Sequence, residues 1–300
     1  MTHPSATVPT LGDVAAATGA GHCPACGNET GRLFQFRGFA LRHCARCALG
    51  YVDPGTVARK PFDVGYLQNV LGAEARSELF FERELRSLRR HLPLRGANVL
   101  DVGFGGGAFL GLLVREGARV HGVEISEAAC EHVRSRLRDV VVSPHAGDLR
   151  STAFAPRTFD LVTFWDSLQY MQHPLRQLKA AHTLLKQGGV LALQVPRRDA
   201  QSLWYARQLH RLHSELARAF LHLPAALFLF SEKFLRRALE RLGFEILDVH
   251  GYRPRLRPRL GGSAKSAALG LANQGYAVLV TLSGRHVPVI VIARKRAPSQ

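Results

Sequence analysis

Short hydrophobic runs alternate with amphipathic stretches along the chain from residue 97 onwards. The runs are rich in Val, Leu and Phe, as buried strands are, whereas the stretches between them place apolar residues at helical spacing. The pattern predicts strands over 98–102, 119–124, 140–143, 159–165, 189–195, 244–250 and 287–295, and helices over 108–116, 126–137, 173–185 and 231–242. This alternation predicts an α/β fold in which helices cover both faces of a mainly parallel sheet.

The remaining residues divide the chain into further predicted regions. Residues 1–20, rich in Ala, Thr, Gly and Pro, predict a disordered tail without a signal peptide. Residues 21–55 contain paired cysteines, and residues 56–96 form a linking segment with one helix predicted from Ala73 to His91. Residues 97–300 are predicted to make up the α/β domain.

The charge balance of the chain is strongly basic. Lys and Arg number 40 against 23 Asp and Glu, which gives a formal net charge of +17. Such an excess attracts nucleic acid, anionic lipid or an acidic small molecule without distinguishing among them. A solvated basic surface accounts for the same charge equally well. No run of 18 apolar residues occurs, so no transmembrane segment is predicted.

Four of the five cysteines form two CxxC pairs, Cys23 with Cys26 and Cys44 with Cys47, at the spacing of a zinc ribbon. Four thiolates complete a tetrahedral site and leave no position open for substrate, so the zinc is predicted to be structural. A glycine follows each pair closely and suits the tight turns of such a site. An odd cysteine count with CxxC pairing also favours a reducing, cytoplasmic location.

A glycine-rich turn, Asp101–Gly107, joins the first predicted strand of the α/β region to its first helix. Gly103, Gly105 and Gly107 allow positive φ and a close approach of the backbone to a ligand, and the start of a helix favours an anion. The same residues satisfy the GxGxxG/A pattern of dinucleotide sites, and Glu124 suits a ribose hydroxyl in either case. The turn alone therefore leaves a nicotinamide and a methyl donor open.

Three further features favour the methyl donor S-adenosylmethionine. Asp101 lies two residues before the first glycine, where an acid meets the ammonium group of an amino acid through water and where a dinucleotide gains nothing. Asp148 and Leu149 follow the third predicted strand, where an acid and the next amide read an adenine edge. The chain after Phe159 also departs from the pattern of a dehydrogenase.

Several stretches taken together match one known family. They are Val99–Gly107, Val123–Glu124, Gly147–Asp148, Phe159–Leu168, His173–Pro174, Leu185–Leu191, Leu239–Phe244 and the CxxC segment that ends at Tyr51–Pro54. In these the chain resembles the class I S-adenosylmethionine-dependent methyltransferases, most of all the small-molecule branch called methyltransferase family 23. The resemblance implies a Rossmann-like, doubly wound seven-stranded sheet whose last strand is antiparallel.

The resemblance also implies roles for individual residues. The glycine turn lines the methionine moiety, Glu124 the ribose, and Asp148 with Leu149 the adenine. Trp165 and Asp166 border the reaction centre. Tyr66 resembles a tyrosine that closes over the cofactor, although a packing role explains it equally well.

The chain departs from the family where a general base is expected. Family members commonly have Glu-His after the fourth strand, whereas this chain has Gln169 and Tyr170. The candidates for a catalytic role are Asp166, Tyr170 and His173, and Asp166 is favoured as a group that contacts substrate. His222 lies too far from the last helix to be assigned as the family's other histidine. A non-catalytic protein that binds S-adenosylmethionine is therefore kept as an alternative.

Residues 197–230 interrupt the α/β pattern with arginines among large apolar side chains, and they predict one or two helices. In this fold such an insertion forms a lid, which favours a small-molecule, sugar or amphiphilic, lipid-like acceptor. A hairpin that only covers the core and an interfacial helix on anionic membrane remain open. RNA as acceptor is kept but not favoured, because no aromatic and basic cluster of an RNA-binding module is present.

Overall fold

The computed structural model describes ten stretches of the chain. They are residues 21–36, 39–53, 64–74, 78–137, 140–144, 149, 154–223, 225–252, 264–283 and 287–297. The tail predicted over 1–20 lies outside them.

The described elements follow one another in chain order. They are β1 (Gly31–Phe36), β2 (Phe39–His43), β3 (Gly50–Asp53), α1 (Val64–Glu74), α2 (Glu78–Leu88), β4 (Asn98–Val102), α3 (Ala108–Arg115), β5 (Arg119–Glu124), α4 (Glu127–Arg136), β6 (Val140–Pro144), β7 (Phe159–Trp165), α5 (Pro174–Leu184), β8 (Leu185–Val195), α6 (Ala200–Leu212), α7 (Ser214–Phe220), β9 (Phe228–Leu229), α8 (Glu232–Arg241), β10 (Phe244–His250), α9 (Ala264–Leu282) and β11 (Val289–Lys295). Every strand predicted after residue 97 is present, and so is every helix predicted there.

Seven strands form one sheet in the order β10-β11-β8-β7-β4-β5-β6. The five neighbouring strands β8, β7, β4, β5 and β6 pair in parallel. Strand β11, the last strand of the chain, is antiparallel to both of its neighbours, β10 and β8. The predicted doubly wound, seven-stranded sheet with an antiparallel last strand is therefore confirmed. The carboxyl ends of β4, β5 and β7 share one edge, where ligands bind in open α/β sheets.

The central strands are hydrophobic on both faces because helices cover both. Along β7, Val162 and Phe164 pack into one apolar cluster, while Leu161 and Trp165 pack into the cluster on the opposite face. Helix α4 begins after Ser126, whose side chain accepts a hydrogen bond from the Ala129 amide and so caps the helix at its N-terminus.

The linking segment differs from its prediction. The helix predicted from Ala73 to His91 is present as α2 over Glu78–Leu88, whereas Ala73 belongs to a second helix, α1, that was not predicted. The apolar residues of α1 have helical spacing, but Gly65 and Gly72 weaken its propensity, which is why the pattern understated it. Helix α2 ends at Leu88 and continues only as turns to His91.

A second, four-stranded sheet joins the N-terminal cysteine segment to the insertion. It has the order β1-β2-β3-β9 and is antiparallel throughout. The first three strands belong to the N-terminal ribbon, which we define as residues 21–53, whereas β9 closes the insertion at 197–230. The insertion's helices α6 and α7 were predicted, but its strand was not.

Helix α9 packs beside α6 and α7 through a third apolar cluster. Within the described part of the chain, no helix combines the length and hydropathy needed to cross a membrane.

Candidate functional site

The four paired cysteines converge on one point. Their sulfur atoms all lie within 4.8 Å of one another, with 3.5 Å between the sulfurs of Cys23 and Cys47 and 3.6 Å between those of Cys26 and Cys44. A tetrahedral zinc ion with bonds of about 2.3 Å separates its sulfur ligands by about 3.8 Å, so the donor set fits zinc. The hydrogen bond from Cys47 lowers the pKa of the Cys23 thiol to about 5, although burial acts in the opposite direction.

The two CxxC turns repeat one backbone conformation. The Gly27 amide donates to the Cys23 carbonyl and the Ala48 amide donates to the Cys44 carbonyl. Gly27 has φ of +69° and Ala48 has φ of +62°, so both turns use the left-handed region. Sequence reasoning assigned this task to Gly50 in the second turn, which is wrong. Gly50 lies in β3, where an added Cβ would stand 3.0 Å from Leu229 Cβ.

The glycine turn adopts the predicted conformation at the edge of the large sheet. Gly103, Gly105 and Gly107 all have positive φ, at +76°, +60° and +85°. A Cβ on Gly103 would stand 2.5 Å from Ser167 Cβ, and one on Gly107 would stand 2.6 Å from a Val133 methyl group. Both glycines are therefore required by the packing of the protein itself, before any ligand is considered.

Glu124, at the end of β5, fastens the turn to the next strand. Its carboxylate is 3% exposed and accepts hydrogen bonds from the amides of Gly105 (3.0 Å), Ile125 (2.8 Å) and Ser126 (3.2 Å). Burial raises the pKa of this carboxyl, and the three amides act against that rise. The turn and the acid predicted for the ribose thus meet at the carboxyl edge of the sheet.

The other predicted cofactor residues lie near this edge in different settings. Asp101 is buried, and its Oδ1 accepts a hydrogen bond of 2.6 Å from Thr163. The Leu149 amide donates to the Gln177 side chain at 2.9 Å. Trp165 packs edge-on against Phe80, and its Nε1 is buried without a hydrogen-bond acceptor among the described residues.

Two predicted cofactor residues have side chains outside the described part of the chain. Tyr66 lies in α1, which contacts α4, but its side chain is not among those described. Asp148 lies outside the described residues altogether. Their roles stay predictions.

Asp166 follows β7 with φ of +55°, a conformation that non-glycine residues rarely adopt. Its side chain is exposed to solvent, and partial desolvation by the surrounding protein raises its pKa to about 6. The Gln169 amide donates to Asp166 Oδ1 at 2.7 Å, and the charge of Arg198 also acts on the carboxyl, both lowering the pKa. Tyr170 lies within reach of the same charges, and burial raises its pKa to about 12.

A recess beside these residues is lined by Arg198 and His222, to which the sequence analysis gave no role. We call it the Arg198 recess; its empty space of about 220 Å³ includes open solvent at the mouth. Its lining consists of Gln169, Tyr170, Pro196, Arg198, Leu221, His222, Ala226, Phe228 and Leu229. One signal for Arg198 was available, because it closely follows the carboxyl end of a predicted strand. No signal placed His222, since its position depends on the lengths of α6 and α7.

His173 lies apart from the other catalytic candidates. It precedes α5 and lines a second recess against the N-terminal ribbon, together with Pro24, Ala25 and Leu49. The structure therefore brings Asp166 and Tyr170 together and places His173 at the junction with the ribbon.

The order of the seven strands, the antiparallel last strand and the glycine turn held by a strand-end acid define the fold of the class I S-adenosylmethionine-dependent methyltransferases. The chain belongs to methyltransferase family 23, whose model, described as a methyltransferase domain, matches residues 74–249. The resemblance inferred from the sequence motifs is thereby confirmed.

Individual relatives share parts of the chain. A ubiquinone biosynthesis O-methyltransferase of Coxiella burnetii is 28% identical over 123 residues, which make up 40% of this chain and 53% of that protein. The chain thus spans about half the length of this curated relative.

Two solved structures show the same fold at low identity. A chain from the complex of the Haloferax volcanii Trm112 methyltransferase activator with a methyltransferase superposes with a TM-score of 0.60 at 17% identity, covering 80% of this chain and 100% of its own length. Haemonchus contortus phosphoethanolamine N-methyltransferase 2, solved with S-adenosyl-L-methionine, gives a TM-score of 0.53 at 20% identity, covering 72% of this chain and 53% of its own.

Proposed function

We propose that the protein transfers the methyl group of S-adenosylmethionine to a small-molecule acceptor. The observation that carries the proposal is the hydrogen bond that the Gly105 amide donates to the Glu124 carboxylate. It brings an acid and a glycine turn together at the carboxyl edge of the sheet. The turn would hold the methionine moiety and Glu124 the ribose, with Leu149, Trp165, Tyr66 and Asp148 around the remainder. The bound donor supplies an electrophilic methyl group on sulfur.

Binding of the donor tests this assignment directly. Glu124→Ala should weaken S-adenosylmethionine binding by roughly 1.5–3 kcal/mol, because it removes a charge-assisted hydrogen bond and releases the Gly105 amide. Isothermal titration calorimetry measures the change, and Glu127→Ala, one turn further on at the exposed start of α4, is the matched control. Equal affinity for the wild type and Glu124→Ala would contradict the assignment.

Asp166 is the group best placed to accept a proton from the acceptor. It stands at the end of β7 and is exposed to solvent, and its pKa of about 6 makes it a stronger base than an ordinary aspartate while leaving it ionised at neutral pH. Tyr170 would help to orient the acceptor, since its raised pKa keeps it protonated. His173 would take part only with an acceptor that reaches the ribbon.

The four cysteines are proposed to bind one structural zinc ion. All four thiol sulfurs are needed to complete the tetrahedron, so the metal would stabilise the ribbon and leave no site for chemistry. The short hydrogen-bonded distances between opposite sulfurs support this donor set.

An RNA acceptor competes with the small molecule on the strength of the net charge of +17. The O-methyltransferase relatives, whose name places them in ubiquinone biosynthesis, favour the small molecule. Micromolar binding of RNA at physiological salt, with a steep loss on adding salt, would favour RNA instead.

A membrane contact is proposed on the outer face of α6 and α9. The two helices lie side by side, since Tyr205 donates to the Ala272 carbonyl at 2.7 Å. Their outward side chains include Trp204 (55% exposed), Leu271 (69%) and Leu282 (79%). Arg207 and Arg211 are exposed on α6 beside them. Apolar groups with a tryptophan and flanking arginines suit the interface of an anionic bilayer.

A further inference from the structure

Arg198 places a positive charge inside the protein without a close counter-charge. The residue is 6% exposed, and burial lowers the pKa of its guanidinium. Among the described residues, no carboxylate forms a salt bridge with it within 4.0 Å. A buried charge is costly unless an opposite charge and hydrogen bonds compensate it, so this arginine requires an explanation.

The hydrogen bonds of Arg198 hold it in position but do not use all of its donors. Nη1 donates to the Arg197 carbonyl and Nη2 to the Phe220 carbonyl, each at 3.0 Å. The guanidinium carbon lies 5.2 Å from the centre of the Phe220 ring. Nε is buried and donates to no described group. Neutral carbonyls and a ring fix the plane of the guanidinium but leave its charge and one donor available.

The neighbours of Arg198 suit a small polar ligand. Tyr276, Asp166, Tyr170 and Asp199 lie near enough to raise the pKa of the guanidinium against the effect of burial. His222, on the wall of the Arg198 recess, has a pKa lowered by burial and by the charge of Arg198, so it is neutral near pH 7. Gln169 Oε1, another lining atom, accepts no hydrogen bond from the described residues. Leu221 and Phe228 supply apolar walls.

We propose that the Arg198 recess binds a carboxylate group of the acceptor, so that the acceptor is a small organic acid. This inference rests on the proposed methyl transfer, since it names the class of molecule that the same site receives. A guanidinium with an available donor pairs strongly with a planar carboxylate. With its carboxylate on Arg198, the acceptor would lie beside Asp166, where its nucleophilic atom would lose a proton.

Three probes that share a phenyl ring and differ in their head group test the charge requirement in the wild-type protein. Benzoate, its neutral counterpart benzamide, and phenylphosphonate are titrated in the presence of S-adenosylhomocysteine by calorimetry. We expect benzoate to bind about tenfold or more tighter than benzamide, because only benzoate compensates Arg198. Equal affinities of benzoate and benzamide would overturn the proposal, and a clear preference for phenylphosphonate would replace the carboxylate by a phosphate-like group.

Variants locate the effect. Arg198→Met should abolish the preference for benzoate, Arg198→Lys should retain part of it, and Arg211→Met, which changes an exposed arginine of α6, should leave it intact. If Arg198→Met does not fold, the wild-type comparison and Arg198→Lys still decide the question. Binding of S-adenosylhomocysteine is measured separately in each protein. If the wild type does not bind S-adenosylhomocysteine, the proposed function is refuted. If it binds S-adenosylhomocysteine but shows no preference for benzoate, only the carboxylate site is refuted.

Discussion

Asp166 shows at the scale of one residue how the fold sets its chemistry. The backbone of Asp166, at the end of β7, is in the left-handed region. Gln169, three residues later, donates a hydrogen bond to the Asp166 carboxylate. Partial desolvation raises the pKa, while Gln169 and Arg198 limit the rise. A carboxylate poised in this way changes protonation within the range in which the enzyme would work.

The ionisation of Asp166 gives a prediction with a definite sign. Because its pKa is raised to about 6, a reaction that needs the ionised carboxylate should gain rate as pH rises through 6 and level off above it. Asp166→Asn should remove this limb and lower kcat by about 10²–10⁴-fold. Asp160→Asn, at the other end of β7, is the control.

The titration itself is measured from the carboxyl ¹³C shift, with Asp166→Asn to assign the signal. Arg198→Met should raise the pKa of Asp166 further, since the charge of Arg198 lowers it. A pKa near 4 in the wild type, or one that does not respond to Arg198→Met, would contradict the assigned environment of this carboxyl.

At the scale of elements, the strands and helices of the large sheet were predictable because each is specified locally. Short segments rich in Val, Leu and Phe mark β4 and β7, β5 follows at the expected place after the first helix, and the glycine turn with Glu124 follows from the strand ends. The two-residue strand β9 was not predictable, since its partner β3 lies far away along the chain. The position of His222 was not predictable for the same reason, because its neighbours depend on how the insertion folds back, whereas Arg198 had one signal in its place just after the carboxyl end of β8.

The contact between β3 and β9 can be tested through Gly50. A side chain there would press on Leu229, so Gly50→Val should lower the free energy of unfolding by about 1–3 kcal/mol through overpacking. Gly31→Val is the matched control, because nothing lies within 4 Å of its added Cβ in β1. Urea unfolding measures both, and similar values for the two variants would show that β9 does not lie against Gly50.

On the scale of the whole molecule, the N-terminal ribbon and the α/β unit share one apolar core. Cys23, Cys44 and Tyr51 are buried in the same cluster as Phe230 and Phe234 of the catalytic unit. The Val52 amide also donates to the Leu227 carbonyl, and the Leu227 amide donates to the Gln169 carbonyl. A continuous path of hydrogen bonds thus connects the ribbon that holds the cysteines to the residue beside Asp166.

Because of this connection, loss of the metal should weaken binding in the acceptor site. Cys44→Ser should reduce the zinc content from about one ion per chain to near zero and weaken benzoate binding more than S-adenosylmethionine binding. Cys130→Ala, which changes the buried cysteine outside the cluster, should keep the metal. Elemental analysis and calorimetry give both values. A folded wild-type protein without metal would exclude the zinc site.

The outer face of α6 and α9 predicts association with anionic vesicles. The wild type should sediment with vesicles that contain phosphatidylglycerol and less with pure phosphatidylcholine, and added salt should weaken it. Leu271→Glu with Leu282→Glu should abolish sedimentation, while Leu79→Glu, equally exposed on α2, should not. Failure of the wild type to sediment, or an equal loss with Leu79→Glu, would remove the membrane contact.

The pairing of β9 with β3 also bears on how such proteins diverge. The strand that completes the ribbon's sheet belongs to the segment that lines the Arg198 recess, with Phe228 and Leu229 facing it. If the ribbon were replaced by that of a relative, its β3 would have to pair with a β9 of different sequence. If the recess were replaced, its β9 would have to pair with a β3 of different sequence. Ribbon and insertion are expected to be inherited as one unit, so that a change of acceptor is accompanied by changes in the ribbon.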